Sequence, residues 1–323
     1  MKDVTKINNQ FYGRERADAA PVNEKYAALR NPRDLYDRLR HIWCADTCAP
    51  RMREEWSPEN RTLGQCSITA FLAQDIFGGK VYGVLRPGGN YHCYNVVGDC
   101  VFDLTSEQFG DEKLSYENNP EQFREVHFAK EEKRLRYEHL KSVLDKSLEA
   151  EARFTFRILR PDEIEQAIAL EQACFPPNEA AIPQVMRKRL KRAINCCLVA
   201  VDRKTEKLAG MINGIGTSRD AFSDDFFTDP ALHEPDGKNI IIAGVAVLPD
   251  YRMQGLARAM MAHYVRMAEE TGRSEVILTC LEEKVPMYAR FGYTDLGAAD
   301  SAWGGEAWHE MQIRVTENKN SKM

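Results

Sequence analysis

Apolar positions along the first third of the chain repeat mostly at helical spacing, then switch to alternation. Leu35, Leu39, Ile42 and Trp43 share one face of a helix expected over residues 34–43. After Gly64, the positions Ile68, Phe71, Leu72 and Ile76 repeat the same way, so Cys66 falls in the first turn of a helix that Gly78-Gly79 ends. Residues 80–85 read as a strand. The turn Pro87-Gly88-Gly89-Asn90 follows, and strands over 91–97 and 100–104 flank Gly98-Asp99 as a hairpin. Residues 1–28 are polar with mixed charge and are expected to form a loose arm, and 111–128 an irregular polar segment. Residues 130–152 carry Leu135, Leu140, Val143, Leu144 and Leu148 on a stripe, which predicts a connecting helix.

Strands and helices then alternate. Strands are expected at 154–159, 196–202, 208–216, 240–247, 275–280 and 306–315. Helices are expected at 163–174, 183–193, 256–270 and 284–291, with Phe175-Pro176-Pro177 as a broken loop and 218–238 as a polar loop. This is an α+β pattern in both halves, divided as residues 1–128, a connector at 129–153, and residues 154–323. One element stands out. The β-branched run 240–247 meets Pro249-Asp250, then Arg252-Met253-Gln254-Gly255-Leu256-Ala257 leads into a helix. Strand, glycine-containing loop and helix start in that order turn backbone N–H groups toward one point, a site for a pyrophosphate.

Composition narrows the partners. The 323 residues suit two domains, and a net charge of −5 gives no electrostatic case for nucleic acid. No apolar run approaches membrane-spanning length and the N-terminus has no apolar signal core, so the expectation is a cytoplasmic protein with no membrane partner. Nine scattered cysteines then read as reduced thiols, Cys93 and Cys100 included. Cys44 and Cys48 lack a second ligand pair at zinc spacing, so no metal is expected.

The segment Arg252–Ala257 has the form [QR]-x-x-G-x-[GA] and resembles the GNAT superfamily of acyl-CoA N-acetyltransferases. Val276–Cys280 followed by Tyr288-Ala289-Arg290-Phe291-Gly292-Tyr293 resembles the late signature of the same family, and the Phe175-Pro176-Pro177 loop is most similar to its arylalkylamine branch. The likeness covers about residues 154–316. It implies a mixed central sheet flanked by helices, acetyl-CoA as donor and a small-molecule primary amine as acceptor. It implies that the backbone of Val245, Ala246 and Val247 lies along pantetheine, with the Val245 amide facing the thioester carbonyl. It implies that the amides of Arg252, Met253, Gln254, Gly255, Leu256, Ala257 and Arg258 hold the pyrophosphate, and that Tyr288 protonates the leaving thiolate. The bland alternatives are a core ring for Tyr288 and a solvated charge for Arg252. The arylalkylamine branch keeps two histidines where this chain has Ile241 and Ala243. Glu171 and Glu179, flanking the proline loop, are therefore the candidate bases, with His309 as another. Trp303, Trp308 and Phe175 are either walls of an aromatic-amine pocket or plain core.

In the first half, Cys66 at a helix start, then His92 and Asp103 on adjacent strands, form a second constellation. A helix N-terminus lowers a thiol pKa. This order resembles papain-like and transglutaminase-like enzymes, with Gly64-Gln65-Cys66 as the nucleophile segment, and the half is most similar to YunG-like proteins. It implies a Cys–His–Asp amide hydrolase or transferase, with Gln65 or the Cys66 amide in an oxyanion hole. The alternatives are a non-catalytic binding module for the first half, and an acyl-CoA sensor for the second. The acceptor, the acyl-chain length and the oligomeric state are not legible in the sequence.

Overall fold

The computed structural model describes residues 11–315. The chain divides into two compact units, Met1–Asp145 and Lys146–Met323.

In the first unit, helix α1 (Pro32–Leu39) starts on Asn31, whose side chain accepts the Asp34 N–H. It is shorter than the apolar stripe suggests. His41 and Ile42 bond back three residues, so Ile42 and Trp43 reach the core from tight turns instead. Helix α2 (Cys66–Phe77) is buried along nearly its whole length and ends at Gly78, whose φ of +73° suits glycine. It packs on an antiparallel sheet of β1 (Lys80–Leu85), β2 (Tyr91–Val97) and β3 (Cys100–Phe102), where Asn95 donates to the Ala70 carbonyl at 2.8 Å.

Two expectations fail here. Residues 11–28 are not a loose arm: Phe11, Ala17 and Tyr26 are buried, and the Tyr12 carbonyl accepts the Asp103 N–H at 3.0 Å. Isolated anchors without periodicity hold that stretch, which pattern reading passes over; residues 1–10 lie outside the described residues. The segment 111–128 is not wholly irregular, since it ends in α3 (Arg124–Phe128), ahead of α4 (Glu131–Arg153).

The second unit is one seven-stranded sheet in the order β4-β5-β6-β7-β8-β10-β9. Its elements in chain order are β4 (Phe154–Ile158), α5 (Ile164–Cys174), α6 (Pro183–Arg192), β5 (Cys197–Asp202), β6 (Leu208–Thr217), α7 (Asp225–Thr228), β7 (Asn239–Val247), α8 (Leu256–Glu270), β8 (Glu275–Leu281), α9 (Val285–Arg290), β9 (Thr294–Ala298) and β10 (Trp308–Arg314). Among the described residues the β7–β8 pair alone is parallel, so the sheet is mixed, as the α+β reading expects. Ile240, Ile242, Met260, Tyr264, Leu278 and Tyr288 share one core on the α8 and α9 side. Ile168, Leu190, Val199, Met211 and Ala246 share another on the α5 and α6 side.

The polar loop expected at 218–238 instead contains α7 and buries Phe222, Phe226 and Phe227, an aromatic cluster outnumbered by its charged neighbours. Strand β9 was not expected; it is largely exposed and holds Gly297 at φ +92°, so it has neither an apolar face nor alternation to announce it.

Candidate functional site

In the second unit, β7 and β8 pair only from Asn239–Glu275 to Ile242–Leu278, although both strands run on. Beyond that point the two part. The register of β7 on β6 also shifts between Asn213 and Gly214, opposite Gly244 and Ile242, leaving Ala243 as an extra residue. Leu248 donates to the Ala209 carbonyl at 3.0 Å, which fixes the ladder. Ala246 turns its N–H and C=O into β6, while Val245 and Val247 turn theirs to the opened edge. The Val247 carbonyl accepts from Arg252 Nε at 3.0 Å.

The loop after β7 reaches α8 through two left-handed residues, Met253 (φ 61°) and Gly255 (φ 81°). No side chain among the described residues caps α8, and its first internal bond runs from the Ala259 N–H to the Gly255 carbonyl. The N–H groups of Leu256 and Ala257 therefore sit at the positive end of the helix. Gln254 braces the loop: its Oε1 accepts from Arg153 Nη1 at 2.6 Å, and its Nε2 donates to the Asp250 carbonyl at 2.8 Å. A Cβ on Gly255 would stand 3.2 Å from Cβ of Lys146. The Arg258 guanidinium lies 4.8 Å from the Phe291 ring centre. Met253 is 94% exposed.

Tyr288 is buried on α9, edge-on to Phe291 and Tyr293 with ring centres 6.0 Å apart in each pair. Burial, then the neighbouring Cys280, push its phenol well above the usual range, so it holds its proton at neutral pH.

Glu171 projects from α5 into the sheet and is 3% exposed. Burial raises its pKa to about 7, against the Arg189 charge and the Ala181 N–H. Its Oε2 has no hydrogen-bond partner among the described residues. A Cβ built on Gly244 would meet this oxygen at 3.4 Å and Asn213 Nδ2 at 2.9 Å, so carboxyl and amide flank the same point of β7, next to Val245.

Glu179 is half-buried in the loop after α5; burial, then Glu306, raise its pKa. Its backbone carbonyl accepts the Trp303 indole N–H at 2.9 Å. Trp303 packs on Phe227 with ring centres 4.8 Å apart, and its carbonyl takes the Trp308 indole N–H at 2.9 Å. Phe175 is partly buried against the core beneath α5 and α6. His309 pairs with Asp295 across β10 and β9 at 3.1 Å. Ile241 is buried in an apolar cluster, with Ala243 packed against it.

In the first unit, the structure brings Cys66, His92 and Asp103 together. His92 Nε2 lies 2.6 Å from Asp103 Oδ2, both residues fully buried. The Thr105 N–H, the Thr105 hydroxyl and the Tyr116 hydroxyl also donate to Asp103, at 3.0, 3.1 and 3.0 Å. Cys66 opens α2, half-buried. A hydrogen bond from the Cys93 thiol, against burial and with help from His92, holds its pKa well below the ordinary thiol range. Burial works against a charge on His92, but the Asp103 carboxylate and Cys66 overcome it and raise the imidazole to about 10. Both shifts act in the same sense, favouring a charged imidazole beside a charged thiolate. Phe109 lies edge-on to the His92 ring, 4.6 Å between centres.

Gln65 is buried beside Cys66, and its Nε2 donates one of its two hydrogens to the Cys44 carbonyl at 3.2 Å. The N-terminus of α2, which includes the Cys66 amide, has no side-chain cap among the described residues. Cys93 and Cys100 are both free thiols, with Cys93 opposite Gly83 in the sheet and the Cys100 thiol on the Arg16 carbonyl at 3.1 Å.

Three residues escaped sequence reading, Tyr116, Arg189 and Asn213, and Cys93 was legible as a reduced thiol but not as a partner of Cys66. Tyr116 sits in an irregular stretch with no signal. Asn213 had one, as the single amide in the apolar strand LAGMINGIGT, where a buried polar group needs a reason.

Comparison with known proteins gives two family matches. Residues 31–149 match the YunG protein family, and residues 164–293 match the acetyltransferase (GNAT) family. The protein YunG of Bacillus subtilis is 32% identical over 94 residues, 29% of this chain and 78% of its own length. Among solved structures, the loading GNATL domain of CurA from Lyngbya majuscula is 14% identical with a TM-score of 0.43, covering 50% of this chain and 98% of its own. Ard1 from Thermoplasma volcanium is 16% identical with a TM-score of 0.40, covering 51% and 99%.

Proposed function

We propose that this chain, which belongs to the YunG family through its N-terminal part and matches the acetyltransferase (GNAT) family over residues 164–293, transfers acetyl from acetyl-CoA directly to the primary amine of a small molecule. The observation that carries this reading is the parting of β7 from β8 beyond Ile242, beside the uncapped start of α8. Pantetheine lies along the unpaired Val245 and Val247 backbone edge, and the pyrophosphate sits on the amides of 252–258. Glu171 takes a proton from the acceptor ammonium, since a carboxyl with a pKa of about 7 is half-ionised at neutral pH. The amine then attacks the thioester carbonyl, whose oxyanion meets the Val245 N–H. Collapse breaks the C–S bond, Tyr288 gives its proton to the CoA thiolate, and the surplus proton on the new amide nitrogen leaves to solvent, from which the tyrosinate is reprotonated. Glu179, on the exposed loop pinned to Trp303, is the weaker base of the two.

The finer arylalkylamine reading has support in the packed Trp303–Phe227 pair, and none at Ile241 and Ala243. An acetyl-CoA consumption screen over arylalkylamines, polyamines, amino acids and aminoglycosides tests the transfer. No consumption above hydrolysis with any amine would leave the acyl-CoA sensor reading.

For the first unit we propose a transglutaminase-like or papain-like amide hydrolase or transferase. The Cys66 thiolate attacks an amide carbonyl, His92 protonates the leaving amine, and water or a second amine resolves the thioester. The freed amine is then the acceptor for the second unit. A reducing cytoplasm suits this thiolate; no helix among the described residues is long and apolar enough to cross a membrane. Cys66→Ala should abolish coupled product in cells, and unchanged product would count against the coupling.

A further inference from the structure

More than a carboxyl faces Gly244. Asn213 on β6 is fully buried, and Arg189, itself 2% exposed, donates from Nη1 to Asn213 Oδ1 at 3.0 Å and from Nη2 to the Phe227 carbonyl. A guanidinium only donates, so it settles which end of the amide it meets: Oδ1 faces Arg189 and Nδ2 faces away from it. That nitrogen has no acceptor among the described residues, and neither has Glu171 Oε2 a donor. Both atoms lie within 3.4 Å of one point above the Gly244 α-carbon, yet they are not bonded to each other. A buried donor and a buried acceptor, each unpaired and aimed at one small space, are costly unless a ligand joins them.

We propose that Asn213 and Glu171 form a two-point subsite for α-amino carbonyl acceptors, the class of amino acids and peptide N-termini. The acceptor nitrogen meets Glu171 Oε2, and the oxygen on the next carbon but one takes the Asn213 Nδ2 hydrogen. An α-amino carbonyl compound places a nitrogen and an oxygen two carbons apart, short enough to fit between these atoms. Gly244 matters here because any side chain would start 2.9 Å from Nδ2 and crowd the two groups. The inference rests on Glu171 as the base of the transferase, and it makes Asn213 a specificity residue.

The test uses the full-length protein with acetyl-CoA and two acceptors of one shape: alaninamide, and 3-methylbutan-2-amine, which lacks the oxygen. The expected result is a kcat/KM for alaninamide about tenfold or more above its oxygen-free analogue. Asn213→Asp keeps an oxygen toward Arg189 but removes the donor, and should bring the ratio to one or below. Equal rates with the wild-type protein, which would mean the pocket holds only water, overturn the subsite, as does a ratio that survives Asn213→Asp. Both rates are referred to the concentration of free amine, because the amide carbonyl lowers the pKa of its α-ammonium, and on that basis the wild-type comparison decides even where the variant does not fold. Glu171→Gln separates the two ideas: if it leaves both acceptors at wild-type rates, the base assignment itself fails; if it slows both while no oxygen preference exists, only the subsite fails.

Discussion

His92 Nε2 stands 2.6 Å from Asp103 Oδ2, while the opposite ring nitrogen, Nδ1, has no hydrogen-bond partner among the described residues. The carboxylate orients the ring and favours its charged form, which in turn favours the Cys66 thiolate. Iodoacetamide should therefore alkylate Cys66 at pH 6, where an ordinary thiol of pKa about 8.5 is almost wholly protonated. Peptide mapping by mass spectrometry separates Cys66 from the other eight cysteines. Asp103→Asn should slow alkylation at pH 6 by about tenfold or more, because the imidazolium loses its partner. A Cys66 that resists the reagent up to pH 8 would point to the binding-module reading.

Glu171 makes a second, opposite-signed prediction. Its carboxyl is raised from 4.5 to about 7 by burial, so the fold favours the protonated form. The cost of ionising it is absent below the unfolded pKa and fully present above about pH 7. Glu171→Gln should then raise Tm at pH 8, by as much as about 3 kcal/mol of stability, and the gain should vanish near pH 4. Calorimetry at the two pH values checks this; a gain independent of pH would mean that the carboxyl ionises freely in the fold.

The loop before α8 separates backbone strain from cofactor contact. Met253 pays for φ 61° without burying its side chain, so Met253→Gly should cost little or stabilise slightly, within about 1 kcal/mol. Gly255→Ala places a Cβ at φ 81° and 3.2 Å from Lys146, and should both lower Tm and raise the KM for acetyl-CoA. Equal effects of the two changes on KM would argue against a specific amide cradle.

Tyr288→Phe keeps the ring packed against Phe291 and Tyr293 and removes only the hydroxyl. Turnover should fall by about 10²-fold, the usual worth of a positioned acid, while acetyl-CoA binding measured by calorimetry stays the same. Wild-type turnover would make Tyr288 a core residue alone.

Much of this was legible in the sequence where pattern and chemistry coincide. The run 240–247, the Gly255 loop and the helix start at Leu256 were readable because a strand, a left-handed glycine and an amphipathic helix each leave a local signature. The order Cys66, His92, Asp103 was readable because residue types at element ends carry the chemistry. What escaped was long-range or aperiodic. Tyr116 reaches Asp103 from an irregular segment, and β9 has no apolar face. Glu171 was visible as a carboxyl but not as a buried one: its environment depends on Asn213 and Gly244, over 40 residues away in sequence, and on a bulge that no spacing predicts.

The most direct test of the central claim is the pH dependence of kcat/KM for acetyl transfer to an accepted amine, in the wild-type protein and in Glu171→Gln. The account predicts a rate that rises with pH through an apparent pKa near 7 and loses both that limb and about 10² or more of its height in the variant. A profile with no limb near 7, or a Glu171→Gln profile that overlays the wild type, would contradict it.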